Sequence, residues 1–410
     1  MKSSKRSKSI CAVNFSETIG EHAEMKILIY LFPMVMDIIV GGILFIAAYR
    51  FSQANVAGWL VGATMAVWAV IYTLLSFASG YLVKPEKAHR VLTGACVGIA
   101  LVSAGLWVFD GLYTQFLWLV LTGCCGALFF APFQMYMKRY LPDGEAGIVR
   151  STALYTGSWS LGFAIGPVLF GLLSQAAALV CCIAGGVFMA GGFVLLEFLF
   201  GRRAAESKEE IRIGCPGAVM DYSRFPDMVW MGYLIGGVGS IVIAFVRTMG
   251  PFRGVQTLGL SREEMGLVIA GVSFMQSVSG FLFYFSRDWM YRKVPGILLN
   301  ACGIAALLGF GLSSSFAGFM ASALLFGVYS GAFFFFFVFH SLVHPTKSAR
   351  YVAGNETIVG ATGIIGPLLG GAFITPASSH WVFIVGAGLV LIALAGQQIM
   401  LGKARIKWEK

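Results

Sequence analysis

Charge is scarce in this chain. Of its 410 residues only 12% are Asp, Glu, Lys or Arg, about half the share of an ordinary soluble domain. The deficit runs the whole length, which excludes a water-soluble globular protein, a disordered one and a nucleic-acid-binding module. Cysteine offers no framework either. Most of the eight cysteines fall inside apolar runs, and the adjacent pairs Cys124-Cys125 and Cys181-Cys182 lack the spacing of metal ligands. They read as small packing residues, neither disulfides nor a metal site. Enzyme signals are missing. The glycine runs follow no strand, so no phosphate loop is read, and no ATP-binding motif is found. No cofactor is expected, and uphill work must draw on an ion gradient. The first 26 residues are polar and basic with no cleavable signal.

Hydrophobic residues are plentiful, at 58%, and glycine supplies 52 positions. Small residues let membrane helices approach closely. A membrane helix needs roughly 20 mostly apolar residues. Twelve segments qualify, near 27–49, 57–83, 91–109, 114–137, 151–173, 175–200, 228–249, 264–286, 294–313, 315–340, 351–374 and 380–401. Lys and Arg cluster on the cytosolic side of membrane proteins. With both termini inside, the inner segments hold 25 of the 29 Lys and Arg. The outer segments hold only Arg50, Arg247, Arg253 and Arg262. A missed or invented helix would flip every later loop and destroy that asymmetry. The net charge of +10 is therefore topological and requires no nucleic acid.

The expected fold is an all-α polytopic membrane protein with 12 transmembrane helices in two pseudo-symmetric six-helix bundles. Residues 1–26 form a cytosolic tail, 27–200 the first bundle, 201–227 a cytosolic linker, 228–401 the second bundle and 402–410 a second tail. An internal repeat supports the division. Arg150, Ala153, Gly166, Pro167 and Gly171 recur as Arg350, Ala353, Gly366, Pro367 and Gly371, always 200 positions apart. Ser79-Gly80 and Ser279-Gly280 keep the same offset. Two like-oriented halves place a cavity between them, near the middle of the bilayer.

With these features the chain resembles the major facilitator superfamily over roughly residues 25–401. Gly157, Gly162, Gly166-Pro167 and Gly171 look like that family's fifth-helix "antiporter" motif. Glycine permits close contact and proline removes a ladder hydrogen bond. In span eleven, Gly360, Gly363, Gly366 and Gly370 share a face. The motif reads as a flexible contact between the halves at the gate, or as plain tight packing. In the family it leans toward proton-driven export. The loop after span two is a degenerate match to a second motif. Gly80, Arg90 and Leu92 fit, but Lys84 stands where the family has Asp. Asp288, in the repeat-related loop, is a candidate substitute or an ordinary solvated residue. Arg150 and Arg350 are candidate gate residues, pairing with Glu356 or Glu197, or simple inner-side anchors.

Leaving aside Glu264 at the first position of span eight, three of the 19 acidic residues fall inside spans: Asp37, Glu197 and Glu356. The last two are expected near inner helix ends. Asp37 is expected at the midplane, where a charge costs ~2.5–3.5 kcal/mol. Pro33 four residues earlier would kink its helix. Asp37 is the candidate proton site or cation contact, and some drug/proton antiporters of the resembled family carry an acid in the first helix. The other reading is a neutral, hydrogen-bonded structural Asp. Gln276, Tyr155 and Asn300 are further candidate binding residues, with Gln134, Tyr72 and Tyr329 weaker ones. Each could equally be a packing hydrogen bond. Arg247, at the outer end of span seven, reads as a snorkelling side chain. At most one or two of Phe333 to Phe337 could wall a cavity. One midplane acid and no midplane Lys or Arg point to a neutral or cationic solute.

These features predict a proton-coupled secondary transporter of a small organic solute, with export favoured. Its partners would be that solute, protons and membrane lipids, and the chain would act as a monomer in the cell membrane. The alternatives are an uncoupled uniporter and a non-transporting receptor or scaffold of the same shape.

Overall fold

The computed structural model describes residues 28–83, 87–137, 145–214, 227–283, 285, 289, 291–342, 348–372 and 374–403. Asp288, Lys84, the N-terminal tail and residues 215–226 and 404–410 lie outside them. Twelve helices of 20 residues or more make up the described chain. They are α1 (Leu31–Gln53), α2 (Gly58–Leu82), α3 (Ala88–Val108), α4 (Gln115–Met137), α5 (Glu145–Leu172) and α6 (Gln175–Gly214). Then come α7 (Val229–Gln256), α8 (Arg262–Leu282), α9 (Lys293–Leu312), α10 (Phe316–Leu342), α11 (Ser348–Ala372) and α12 (His380–Lys403). Each matches one expected span. Helices are what such apolar runs must form, because hydrocarbon offers no partner to a backbone N–H or C=O.

Eleven of the twelve are long and apolar enough to cross a membrane. The exception is α11, which carries Asn355, Glu356 and Thr357 in its second and third turns. A helix that lines a polar cavity tolerates such residues where one facing lipid does not. Three helices differ from expectation in extent. α6 continues for 40 residues to Gly214, well into the stretch read as linker. α7 runs to Gln256, seven residues past the expected end at 249, through Pro251. α1 begins at Leu31, which puts Pro33 in its first turn. There the missing N–H has no intrahelical partner to lose, so the expected kink beside Asp37 has no cause.

The packing repeats six helices apart. α1 lies against α5 as α7 lies against α11; α3 against α6 as α9 against α12; and α2 against α4 as α8 against α10. Across the two sets, α2 packs on α11 and α5 on α8, which are equivalent under the same exchange. α1, α7 and α10 are the most buried helices, while α6, α9 and α12 face outward. Twelve antiparallel crossings leave the start of α1 and the end of α12 on one face, called here the terminal face. The other is the distal face.

Close contacts tie the distal part together. A Cβ on Gly266 would stand 2.7 Å from the Pro167 carbonyl oxygen, and one on Gly62 would collide with the Pro367 carbonyl. The Gln256 side-chain amide of α7 donates to Ser52 O in the last turn of α1 and to Asn55 Oδ1 just after it, each at 2.6 Å. Asn55 adopts φ 54°, a conformation Asn tolerates better than most residues. Two arginines hold equivalent corners. Arg50 of α1 donates to Asp110 O, just beyond α3, at 2.8 Å. Arg253 of α7 donates to Phe310 O at 3.0 Å and Ser313 O at 3.1 Å, around the end of α9, and to Ser379 Oγ at 2.9 Å. A cation at helix-terminal carbonyls is favoured by the helix dipole.

Candidate functional site

Between the two sets of helices lies a cavity of about 900 Å³. α1, α2, α4 and α5 wall it on one side, and α7, α10 and α11 on the other. Its walls are aromatic. Trp68 stacks on Tyr72 with ring centroids 4.8 Å apart, and Trp159 meets Phe334 edge-on at 4.9 Å. Phe130, Phe163 and Phe337 complete the lining. Two of the five consecutive phenylalanines, Phe334 and Phe337, face the space, and all five are buried among neighbouring helices.

Three charged side chains face the same cavity: Asp37, Arg247 and Glu356. Asp37 is the seventh residue of α1, roughly 9 Å along the helix at 1.5 Å per residue. It is 2% exposed, and its Oδ1 has no hydrogen-bond partner. Gly162 brings α5 against it, for a Cβ there would stand 2.9 Å from the Asp37 Cβ. Glu356 differs from Asp37 in being satisfied. Tyr72 Oη donates to its Oε2 at 2.6 Å, and Gln134 Nε2 to its Oε1 at 2.8 Å. Both donors come from the first six helices and Glu356 from the last six, so the carboxyl joins the two sets at the cavity wall. The Gln134 amide also reaches Tyr155 Oη at 3.4 Å.

Arg247 closes the cavity toward the distal face. Its guanidinium carbon sits 4.1 Å from the centre of the Phe163 ring, a cation–π seat. With Leu44, Met65 and Phe163 it also lines a smaller space beyond, of about 350 Å³. Its buried Nε and Nη2 have no acceptor. Asp37 and Arg247 share the cavity without closing into an ion pair.

The structure thus brings Asp37, Tyr155 and Glu356 together and parts them from other candidates. Gln276 is fully buried between α8 and α5, where its amide donates to Ser160 Oγ at 2.7 Å. Asn300 lies between α9 and α12, bonded to Gly296 O at 2.8 Å and Gln397 Oε1 at 2.9 Å. Neither lines the cavity; both serve helix packing. Arg150 and Arg350 are exposed on the terminal face, as is Arg90 at the start of α3. Their expected carboxylate partners are engaged elsewhere: Glu356 by Tyr72 and Gln134, and Glu197 beside His89 at 3.6 Å. Glu356 is not at a helix end but eight residues inside α11. Gly80 lies in the last turn of α2. Gly162 and Gly166 abut α1, and Gly366 abuts α7, within their own sets of six. Pro167 and Pro367 beside them reach across, to Gly266 and Gly62, as do Gly157 and Gly171 of the same motif, toward Ser277 and Arg262, and Gly360 and Gly363 of span eleven, toward Thr73 and Ala69. The motif is therefore half internal packing and half contact between the sets.

Arg247 departs from the snorkelling position expected of it because α7 continues past 249. Seven further residues put it nine positions from the end of α7, roughly 13 Å inside, too deep to snorkel. The apolar residues that continue past 249, among them Phe252 and Val255, are the available signal. The aromatic wall left no such signal, since Trp and Phe also face lipid throughout these spans.

Two pseudo-symmetric sets of six helices about a cavity with buried charge define a polytopic membrane transporter rather than an enzyme. The pattern of the Major Facilitator Superfamily matches residues 27–354, and the chain belongs to that superfamily. It is an integral multi-pass membrane protein whose fold serves transport by alternating access. Solved structures share this fold at low identity. A bacterial homologue of the human lysosomal transporter Spinster, inward-facing and unoccupied, aligns at 12% identity and TM-score 0.63, over 93% of this chain and 97% of its own. The human organic anion transporter MFSD10 (TETRAN) aligns at 12% and 0.63, over 91% and 98%. The nucleoside transporter NupG aligns at 12% and 0.60, over 93% and 99%. No curated protein sequence matches the chain.

Proposed function

We propose that this chain is a secondary active transporter of a small organic solute, coupled to protons through Asp37. The observation that carries the reading is the buried Asp37 carboxyl, one oxygen of which has no partner, facing a cavity between the two helix sets. A carboxyl so placed exchanges its proton with whatever fills the cavity. Alternating access then exposes it to each side in turn, which couples the proton gradient to the solute. Residues 27–200 and 228–401 are the rocking bundles, with both termini in the cytosol and the monomer as the working unit in the cell membrane. Direction follows from the sign of the linkage. If proton and solute compete for Asp37 the protein is an antiporter, as the export expectation requires. If protonation readies the site, it is a symporter.

A thermal-shift screen of amines, carboxylates, nucleosides and sugars supplies a solute, and counterflow in proteoliposomes then establishes transport. Asp37→Asn is expected to abolish accumulation driven by an imposed pH gradient while sparing passive exchange. Undiminished driven accumulation in that variant refutes the coupling role.

A further inference from the structure

We infer that the free edge of Arg247 seats the carboxylate of an organic monoanion whose apolar or aromatic body lies among Trp68, Tyr72, Trp159 and Phe334, and that protonation of Asp37 strengthens this binding. The inference rests on the transport reading above and names the solute class it left open.

Three observations carry it. First, the groups left unmatched in the cavity are specific. Glu356 accepts from Tyr72 and Gln134, whereas Arg247 Nε and Nη2 have no acceptor. Those two atoms are neighbours on one edge of the guanidinium and point in parallel, the fork that a carboxylate fits with both oxygens; both are covered in this arrangement, so the edge meets a ligand as the surrounding side chains part. Second, the fork is held in place. The guanidinium lies on the Phe163 ring, 4.1 Å from its centre, at the distal floor of the cavity. Third, the space between this floor and Glu356 is walled by aromatic rings, which suit a flat or apolar body and offer few other polar contacts.

The groups that set the local charge come from several helices. Around Asp37 they are Tyr72 of α2, Tyr155 of α5, Arg247 of α7 and Glu356 of α11. α4 brings Phe130 to the lining and the neutral Gln134 to Glu356, and α6 brings no lining residue. An ionised Asp37 already offsets Arg247, so an incoming carboxylate meets one more negative charge than it meets when Asp37 is protonated. Whatever the state of Glu356, one proton on Asp37 lowers that opposition by one unit. Proton and carboxylate therefore favour each other's binding, reciprocally. The linkage makes the protein a symporter, against the export expected from the fifth-span motif. It also replaces the neutral or cationic solute expected when Arg247 was placed at the membrane surface.

The test uses the full chain in nanodiscs and three compounds with one body: phenylpropionate, phenylpropylamine and phenylpropanol. Binding is read by quenching of Trp68 and Trp159 fluorescence and by thermal shift, on the acid and alkaline sides of neutrality. Phenylpropionate is expected to bind at least about tenfold more tightly than the amine or the alcohol, and more tightly on the acid side. Arg247→Gln should remove that preference, Arg247→Lys should retain part of it, and Asp37→Asn should make the affinity independent of pH. A preference for the amine or alcohol, no saturable binding of any of the three, or wild-type affinity for phenylpropionate that does not rise with acidity overturns the inference. These wild-type readings stand even if a variant fails to fold. The proton-coupled reading is judged separately, by driven accumulation in Asp37→Asn, and survives a result in which the amine is preferred.

Discussion

Replacing Tyr72 with Phe removes a single oxygen from the cavity wall and leaves the ring stacked on Trp68. What is lost is the 2.6 Å hydrogen bond to Glu356 Oε2, one of two that hold a carboxyl of α11 to helices of the opposite set. A hydrogen bond to a charged group contributes about 1.5–3 kcal/mol, while polar contacts inside membrane proteins average nearer ~0.6 kcal/mol. A central figure of about 1.4 kcal/mol corresponds to roughly a tenfold change in an equilibrium constant. If this bond favours the arrangement described here over its alternate, Tyr72→Phe shifts the populations of the two by that factor, away from this arrangement. Gln134→Leu removes the second bond, at 2.8 Å. Because both donors share one carboxyl, the double variant should depart from additivity. The assay is the distance distribution between spin labels introduced as unnatural amino acids at the exposed positions 150 and 350, which sit on equivalent helices of the two sets. Unchanged distributions in both variants, with unchanged thermal stability, refute the idea that Glu356 joins the halves in a state-dependent way.

Two further outcomes test the packing. Arg253→Gln gives up two hydrogen bonds at the end of α9 and one to Ser379 beside α12, a loss of about 3 kcal/mol at roughly 1 kcal/mol each. The melting temperature in detergent should fall by several degrees, and an unchanged melt would show that these bonds form equally in the unfolded reference. Gly266→Val places a branched side chain where even a Cβ would stand 2.7 Å from the Pro167 carbonyl oxygen. The distal junction of α5 and α8 should be forced apart, raising hydrogen exchange at the adjoining ends of both helices; exchange equal to wild type would refute the close approach.

Much of the architecture was legible along the chain because it depends on local composition. Twelve apolar runs meant twelve helices, and the Lys and Arg asymmetry allowed only an even number. The 200-residue offset of Gly166-Pro167 and Gly366-Pro367 foretold the pseudo-symmetry that the packing displays, down to Arg50 and Arg253 at equivalent corners. Asp37 stood out because a charge deep in hydrocarbon is costly and so rarely idle. Helix ends were harder. α7 continues past the expected end at 249 and through Pro251, because proline inside a membrane helix is tolerated when neighbours satisfy the freed carbonyl. That difference in length takes Arg247 from the expected outer end of span seven to the cavity wall, the observation on which the proposed anionic solute rests.

Gln276 and Asn300 show the converse. Both are polar residues inside apolar spans, as Gln134 and Tyr155 are, and nothing along the chain separates the two kinds. A side chain's direction round a helix, and what stands opposite, are properties of the packed bundle. Span number, orientation pattern and repeat follow from composition averaged over some twenty residues at a time, which the linear chain already contains. Which polar atoms meet partners and which are left facing a cavity is decided by angles and contacts between helices hundreds of residues apart. That is why Glu356 joins Tyr72 and Gln134, and why Arg247 stays free beside Asp37, only in the folded protein.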